Sequence, residues 1–60
     1  MTSATLIAWR KRLALSQDAA AKALGCGRRS IQQWEAGMHP VPRYIALACA
    51  AVAMGIPPIE

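Results

Sequence analysis

The 60-residue chain has no phenylalanine, a single tyrosine and a single histidine, and only three acidic residues. Without phenylalanine and with alanine abundant, its core must close around small side chains and a few large ones. A compact helical bundle suits that composition. The lone His39 and the scattered acids Asp18, Glu35 and Glu60 put no nucleophile at a useful spacing from a base, so an enzyme is not expected. Cys26 and Cys49 have no metal-ligating neighbours in sequence, which argues against a metal or other cofactor. In a reducing compartment both stay thiols and act as small packing residues. No basic segment leads into an apolar stretch with a cleavage site, and the apolar run from Tyr44 to Ile56 is too short to span a bilayer. The expectation is a cytoplasmic protein without membrane attachment.

What is present is positive charge. Seven Lys or Arg against three acids give a net charge of +4. Six of those seven basic residues lie between Arg10 and Arg29, which favours a polyanionic partner. Lys11, Arg12 and Lys22 read more readily as solvated charges than as contacts. The length allows one domain, residues 1–60, burying only about 60% of the surface exposed by its unfolded form. Such a core is marginal, and dimerisation is the natural supplement.

The pattern predicts four helices. Thr2, Ser3 and Thr5 are N-cap candidates for a first helix running to about Ala14, with Leu6, Arg10 and Leu13 on one face and Ile7 and Trp9 beside it. Arg10, Lys11 and Arg12 suit the negative end of its dipole. Ser16 caps a second helix with Asp18 in its first turn and helix formers from Ala19 to Leu24, closed by Gly25. A third begins near Gly27 or Arg28, burying Ile31 and Trp34 and leaving a polar, basic face. Gly37 ends it, and Met38 to Pro42 reads as a proline-ordered loop. The fourth, about residues 43–54, is apolar on nearly all sides and must be buried. Gly55, Pro57 and Pro58 stop it.

Two short helices joined by a glycine-containing turn, the second basic on its free face, form the DNA-binding helix-turn-helix arrangement, here about residues 16–36. The unit needs a small residue where its helices cross, a glycine in the turn, and apolar anchors on the second helix. Ala21, Gly25, Ile31 and Trp34 meet those needs in order.

Leu15-Ser16-Gln17, Ala21, Leu24-Gly25, Ser30-Ile31 and Trp34-Glu35-Ala36-Gly37 before a proline loop resemble the Cro/C1 repressor-type helix-turn-helix, over roughly Leu6 to Met54. The resemblance implies an all-α, compact four-helix, lambda-repressor-like domain. The docking geometry of such repressors is well described, and similar small regulators occur in phage operons, including those accompanying anti-CRISPR genes. A bacterial cell or a phage-infected host is the implied setting. In the family, the residue matching Gln17 braces the first residue of the recognition helix and contacts DNA backbone. Those matching Arg28, Arg29 and Gln33 reach base edges. Arg28 and Arg29 depart from the glutamine or serine of familiar repressors, which points to guanine in place of adenine. Gln32 is a further candidate for base contact, though neutral residues like Gln32 and Gln33 suit any helix surface. Ser16, Ser30, Arg10, His39 and Arg43 are candidates for backbone contact. Ser30 can instead bond its own backbone, and His39 is equally an exposed loop residue. Arg10 and Glu35 match an ion pair of the resembling repressors.

The function implied is a sequence-specific, double-stranded DNA-binding transcriptional regulator, a repressor binding a palindromic operator as a homodimer. The dimer is expected through the fourth helix, with Ile45, Leu47, Ala48, Val52 and Met54 at the interface. The alternative is an antitoxin-like protein-interaction module whose DNA binding is secondary. A membrane-binding basic peptide fits less well, because the charges do not follow one continuous helix face.

Overall fold

The structure, a computed structural model, describes residues 1–59. It is all-helical: α1 (Ser3–Arg12), α2 (Gln17–Leu24), α3 (Arg28–Glu35) and α4 (Arg43–Ala53), with no strand among the described residues. Local chemistry sets the first two starts. The Thr2 hydroxyl accepts the Thr5 N–H at 3.1 Å, and the Ser16 hydroxyl accepts the Ala19 N–H at 3.1 Å. Each satisfies one of the amides a helix leaves without an internal partner. Gly27 and Pro42 precede α3 and α4 without any side-chain cap.

The core is assembled from Leu6 and Trp9 of α1, Ala20 and Ala21 of α2, Ile31 and Trp34 of α3, and Ile45 and Cys49 of α4. Ala20 and Ala21 let α3 approach α2 closely, as the crossing of this motif requires. Both tryptophans are buried, and polar bonds tie the helices around them together. Trp9 donates its indole N–H to the Cys49 carbonyl at 2.9 Å, tying α1 to α4. Ser3 donates its hydroxyl to the Trp34 carbonyl at 2.6 Å, tying α1 to the end of α3. Cys26 packs half-buried against the core and Cys49 lies within it. Burial pushes both thiols above the ordinary range, which keeps them protonated.

Two expectations need correction. The fourth helix is not buried on all sides: three short helices can cover only one of its faces, and Ile45 and Cys49 occupy that face while Tyr44, Leu47 and Met54 stand exposed. Ile45 is consequently only 1% exposed and is not available to a dimer interface. The first helix also stops at Arg12, short of Ala14.

That stop is informative. All four helices end in the same double-bonded turn. In α1 the Leu15 N–H reaches the Arg10 carbonyl and the Ala14 N–H the Lys11 carbonyl, both at 3.0 Å. Such a turn needs one residue in the left-handed region. The other three helices place Gly25, Gly37 and Gly55 there, but α1 places Ala14, at φ 55°. A left-handed L-residue costs about 1–2 kcal/mol, against about 0.5–1 kcal/mol of extra chain entropy for glycine. Ala14→Gly is therefore expected to stabilise the chain by about 0.5–1 kcal/mol, and Gly25→Ala to destabilise it by about 1 kcal/mol. Paired urea denaturation curves check both; a destabilised Ala14→Gly would contradict the strain.

Candidate nucleic-acid interface

On α3, Ile31 and Trp34 face the core, and helical periodicity turns residues 28, 29, 32 and 33 away from it. Arg28, Arg29 and Gln32 are exposed; Gln33 and Ser30 are half-buried. This outer stripe borders the start of α2. Arg28 Nε lies 3.6 Å from the Asp18 carboxylate, with both side chains more than half exposed (57% and 63%). One turn further along α3, the Gln32 amide donates to the Gln17 side-chain carbonyl at 3.4 Å. The beginnings of α2 and α3 therefore lie side by side, each with first-turn backbone amides that have no partner within the helix.

Beneath this surface lies the Arg10–Glu35 pair. Arg10 donates from Nε to Glu35 Oε2 at 2.6 Å and from Nη2 to Oε1 at 2.9 Å, a two-pronged contact. Its third nitrogen, Nη1, donates to the Leu15 carbonyl at 3.1 Å. The side chains are only 16% and 9% exposed. The guanidinium holds the Glu35 carboxyl below its ordinary range, aided by a hydrogen bond from Gln17 and opposed by burial. The same contact raises the Arg10 pKa further.

These bonds revise two expectations. Arg10 is not available to a DNA phosphate: all three guanidinium nitrogens are directed to Glu35 or the Leu15 carbonyl. Gln17 does not brace the first residue of α3: its side chain is engaged by Glu35 and Gln32 instead. It donates to Glu35 Oε1 at 3.3 Å and accepts from Gln32. Asp18, read from sequence only as a first-turn helix acid, is the residue beside Arg28. No spacing rule connects residues on two different helices, so this neighbour was not visible in sequence.

The remaining candidates lie on other segments. Ser16 is exposed, with its hydroxyl committed to its cap. His39 is exposed in the loop after α3, and Arg43 is exposed at the first position of α4. Of the proposed interface residues on α4, Leu47 (61%) and Met54 (75%) are exposed. Ala48 and Val52 are half-buried, with Val52 packed against the core.

Compared with known families, residues 3–60 match the profile described as a helix-turn-helix domain. No curated protein and no solved structure matches the chain.

Removing one partner of a part-buried ion pair leaves the other incompletely compensated, at a cost between that of an exposed pair and that of a fully buried one, about 1–3 kcal/mol. Glu35→Ala should lose about that much in chemical denaturation; a loss under about half a kcal/mol would mean that the pair behaves as an ordinary exposed one. The pH dependence has a definite sign. Because the folded chain holds Glu35 below its ordinary range, the pair's contribution is complete above the unfolded value of about 4.3. It is lost as the pH falls from there through the depressed folded value. Acid titration of stability should show this component, and Glu35→Gln should lack it.

Proposed function

Because the chain belongs to the helix-turn-helix domain family over residues 3–60, we propose that it is a sequence-specific, double-stranded DNA-binding transcriptional regulator, a repressor that binds a palindromic operator as a homodimer. One observation carries this reading. The outer stripe of α3 bears Arg28 and Arg29 in its first turn, where the helix dipole disfavours cations. Among the described residues, only Asp18 stands near enough to offset either of them. A polyanionic partner supplies the missing countercharge. The third helix enters the major groove from its N-terminal end, and Arg28 and Arg29 read guanine O6 and N7 there. Gln33 lies on the same stripe, one turn further from the groove floor. Ser16, Ser30, His39 and Arg43 hold backbone phosphates, and Gln17 joins them only through its backbone amide at the start of α2.

The homodimer is built on α4. Leu47 and Met54 provide its apolar contact, and an open groove of about 420 Å³ between α1 and α4, lined by Ala4, Ala8, Ala46 and Ala50 among others, gives large side chains a place to seat. Two-fold pairing doubles every such contact and supplements a core that is small for a free-standing domain. It also sets two recognition helices about 34 Å apart, one turn of duplex.

The test compares Arg28→Ala and Arg29→Ala on a selected operator and on random DNA. Loss of a two-pronged guanine contact should cost about 1–3 kcal/mol on the operator and relax preference at that base. Arg43→Ala should weaken all sequences alike and reduce the salt slope by about one. Equal losses on operator and random DNA for both stripe arginines would reduce them to phosphate holders. Leu47→Asp should shift the chain toward monomer in sedimentation; an unchanged association state would rule out the α4 interface.

A further inference from the structure

Hydrogen bonds on the proposed DNA surface run in one direction. A carboxylate offers only acceptors, so the Gln17 group that meets Glu35 Oε1 at 3.3 Å has to be its amide NH₂. Gln17 then turns its carbonyl oxygen outward, and the Gln32 group that meets it at 3.4 Å has to be NH₂ as well. Gln32 is left with its carbonyl oxygen and one N–H uncommitted, on the exposed stripe of α3. A free glutamine at a protein surface can turn its amide over and present either end. This one is constrained from beneath. Glu35 itself cannot reverse the order, because Arg10 holds it as a carboxylate by two bonds of 2.6 and 2.9 Å.

We propose that the Glu35 carboxylate, acting through Gln17, fixes the Gln32 side-chain amide so that its carbonyl oxygen faces the duplex and selects a base carrying an exocyclic amino group in the major groove. Adenine is the best match: its N6 amino group donates to the Gln32 carbonyl, and its N7 accepts the remaining N–H. Cytosine satisfies the carbonyl alone through N4. Guanine and thymine present O6 and O4 at the corresponding places, and an oxygen facing an oxygen is repulsive. Gln32 thus complements Arg28 and Arg29, which can read only acceptors. Gln17 and Glu35 are positioning residues: they touch no base and act through the amide of Gln32. The inference rests on reading α3 as the base-reading helix.

Selection of bound duplexes from a random pool tests it, with the wild-type chain, Gln32→Ala and Gln17→Met compared after each variant is shown by thermal denaturation to fold. Wild type should enrich adenine, with cytosine second, at one operator position, by about tenfold over guanine and thymine. Gln32→Ala should erase that preference and leave the other positions unchanged. Gln17→Met keeps Gln32 but cuts its link to the carboxylate, so guanine and thymine should rise toward parity with adenine at that one position. A role of Gln17 confined to structure or phosphate contact would lower affinity for every sequence without changing the preference. Full retention of the adenine preference in Gln17→Met overturns the inference. So does a position that responds to Gln32→Ala but selects guanine or thymine in wild type. If wild type enriches a sequence in which no position responds to Gln32→Ala, the inference fails while the proposed regulator stands. If wild type enriches no sequence at all, both fall.

Discussion

The contact between Arg10 and Glu35 is the constraint on which the outer stripe of α3 depends. Through Glu35 it fixes the last turn of α3 against α1, and through the third guanidinium nitrogen it secures the Leu15 carbonyl at the entrance to α2. Three helices are therefore registered by one planar cation, whose fork geometry permits little rotation. An isolated charge at this depth would be strongly unfavourable. The pair is tolerable because its partners are met by well-directed hydrogen bonds and no buried polar side-chain atom among the described residues is left without one. Its worth to the fold is chiefly orientation, since apolar side chains of similar size could fill the same space.

The apolar core complements this by being small. Ala20 and Ala21 permit a close crossing of α2 and α3, and Leu6, Ile31 and Ile45 fill the centre completely. Full burial of such side chains contributes about 1.5–3 kcal/mol each, a modest total for a chain that must also order its backbone. Short polar bonds from Trp9 and Ser3 to helix carbonyls add direction to that packing. The outer face of α4 is left apolar, with Tyr44, Leu47 and Met54 in solvent, so the same shortage of covering elements that limits the core creates the surface on which a second copy is proposed to sit.

Polarity passes from the interior of this molecule to its surface. A carboxylate held charged by a half-buried arginine meets the Gln17 amide, and the Gln17 carbonyl oxygen in turn meets the amide of Gln32. Chains of hydrogen bonds of this kind gain cooperatively from one another. They also link the stability of the fold to the chemistry it displays, because the group that anchors α3 is the group that orders its exposed amides.

Much of this architecture was legible in the sequence because it is written in local chemistry. Thr2 and Ser16 as caps, Gly25 and Gly37 as helix ends, and Ile31 and Trp34 as the buried stripe of α3 all follow from spacings of four residues or fewer. The arginine-bearing outer stripe follows from the same periodicity. The Arg10–Glu35 pair was expected from resemblance alone, since nothing local joins residues 25 apart. Only the tertiary structure decided that Arg10 is enclosed, that Ile45 points inward, that Ala14 takes a glycine's conformation, and that Asp18 and Gln17 meet Arg28 and Gln32. The reason is physical: periodicity fixes which face of a helix a residue occupies, but the partner across that face is set by how separate helices cross, and that crossing is determined by the packing of the whole core.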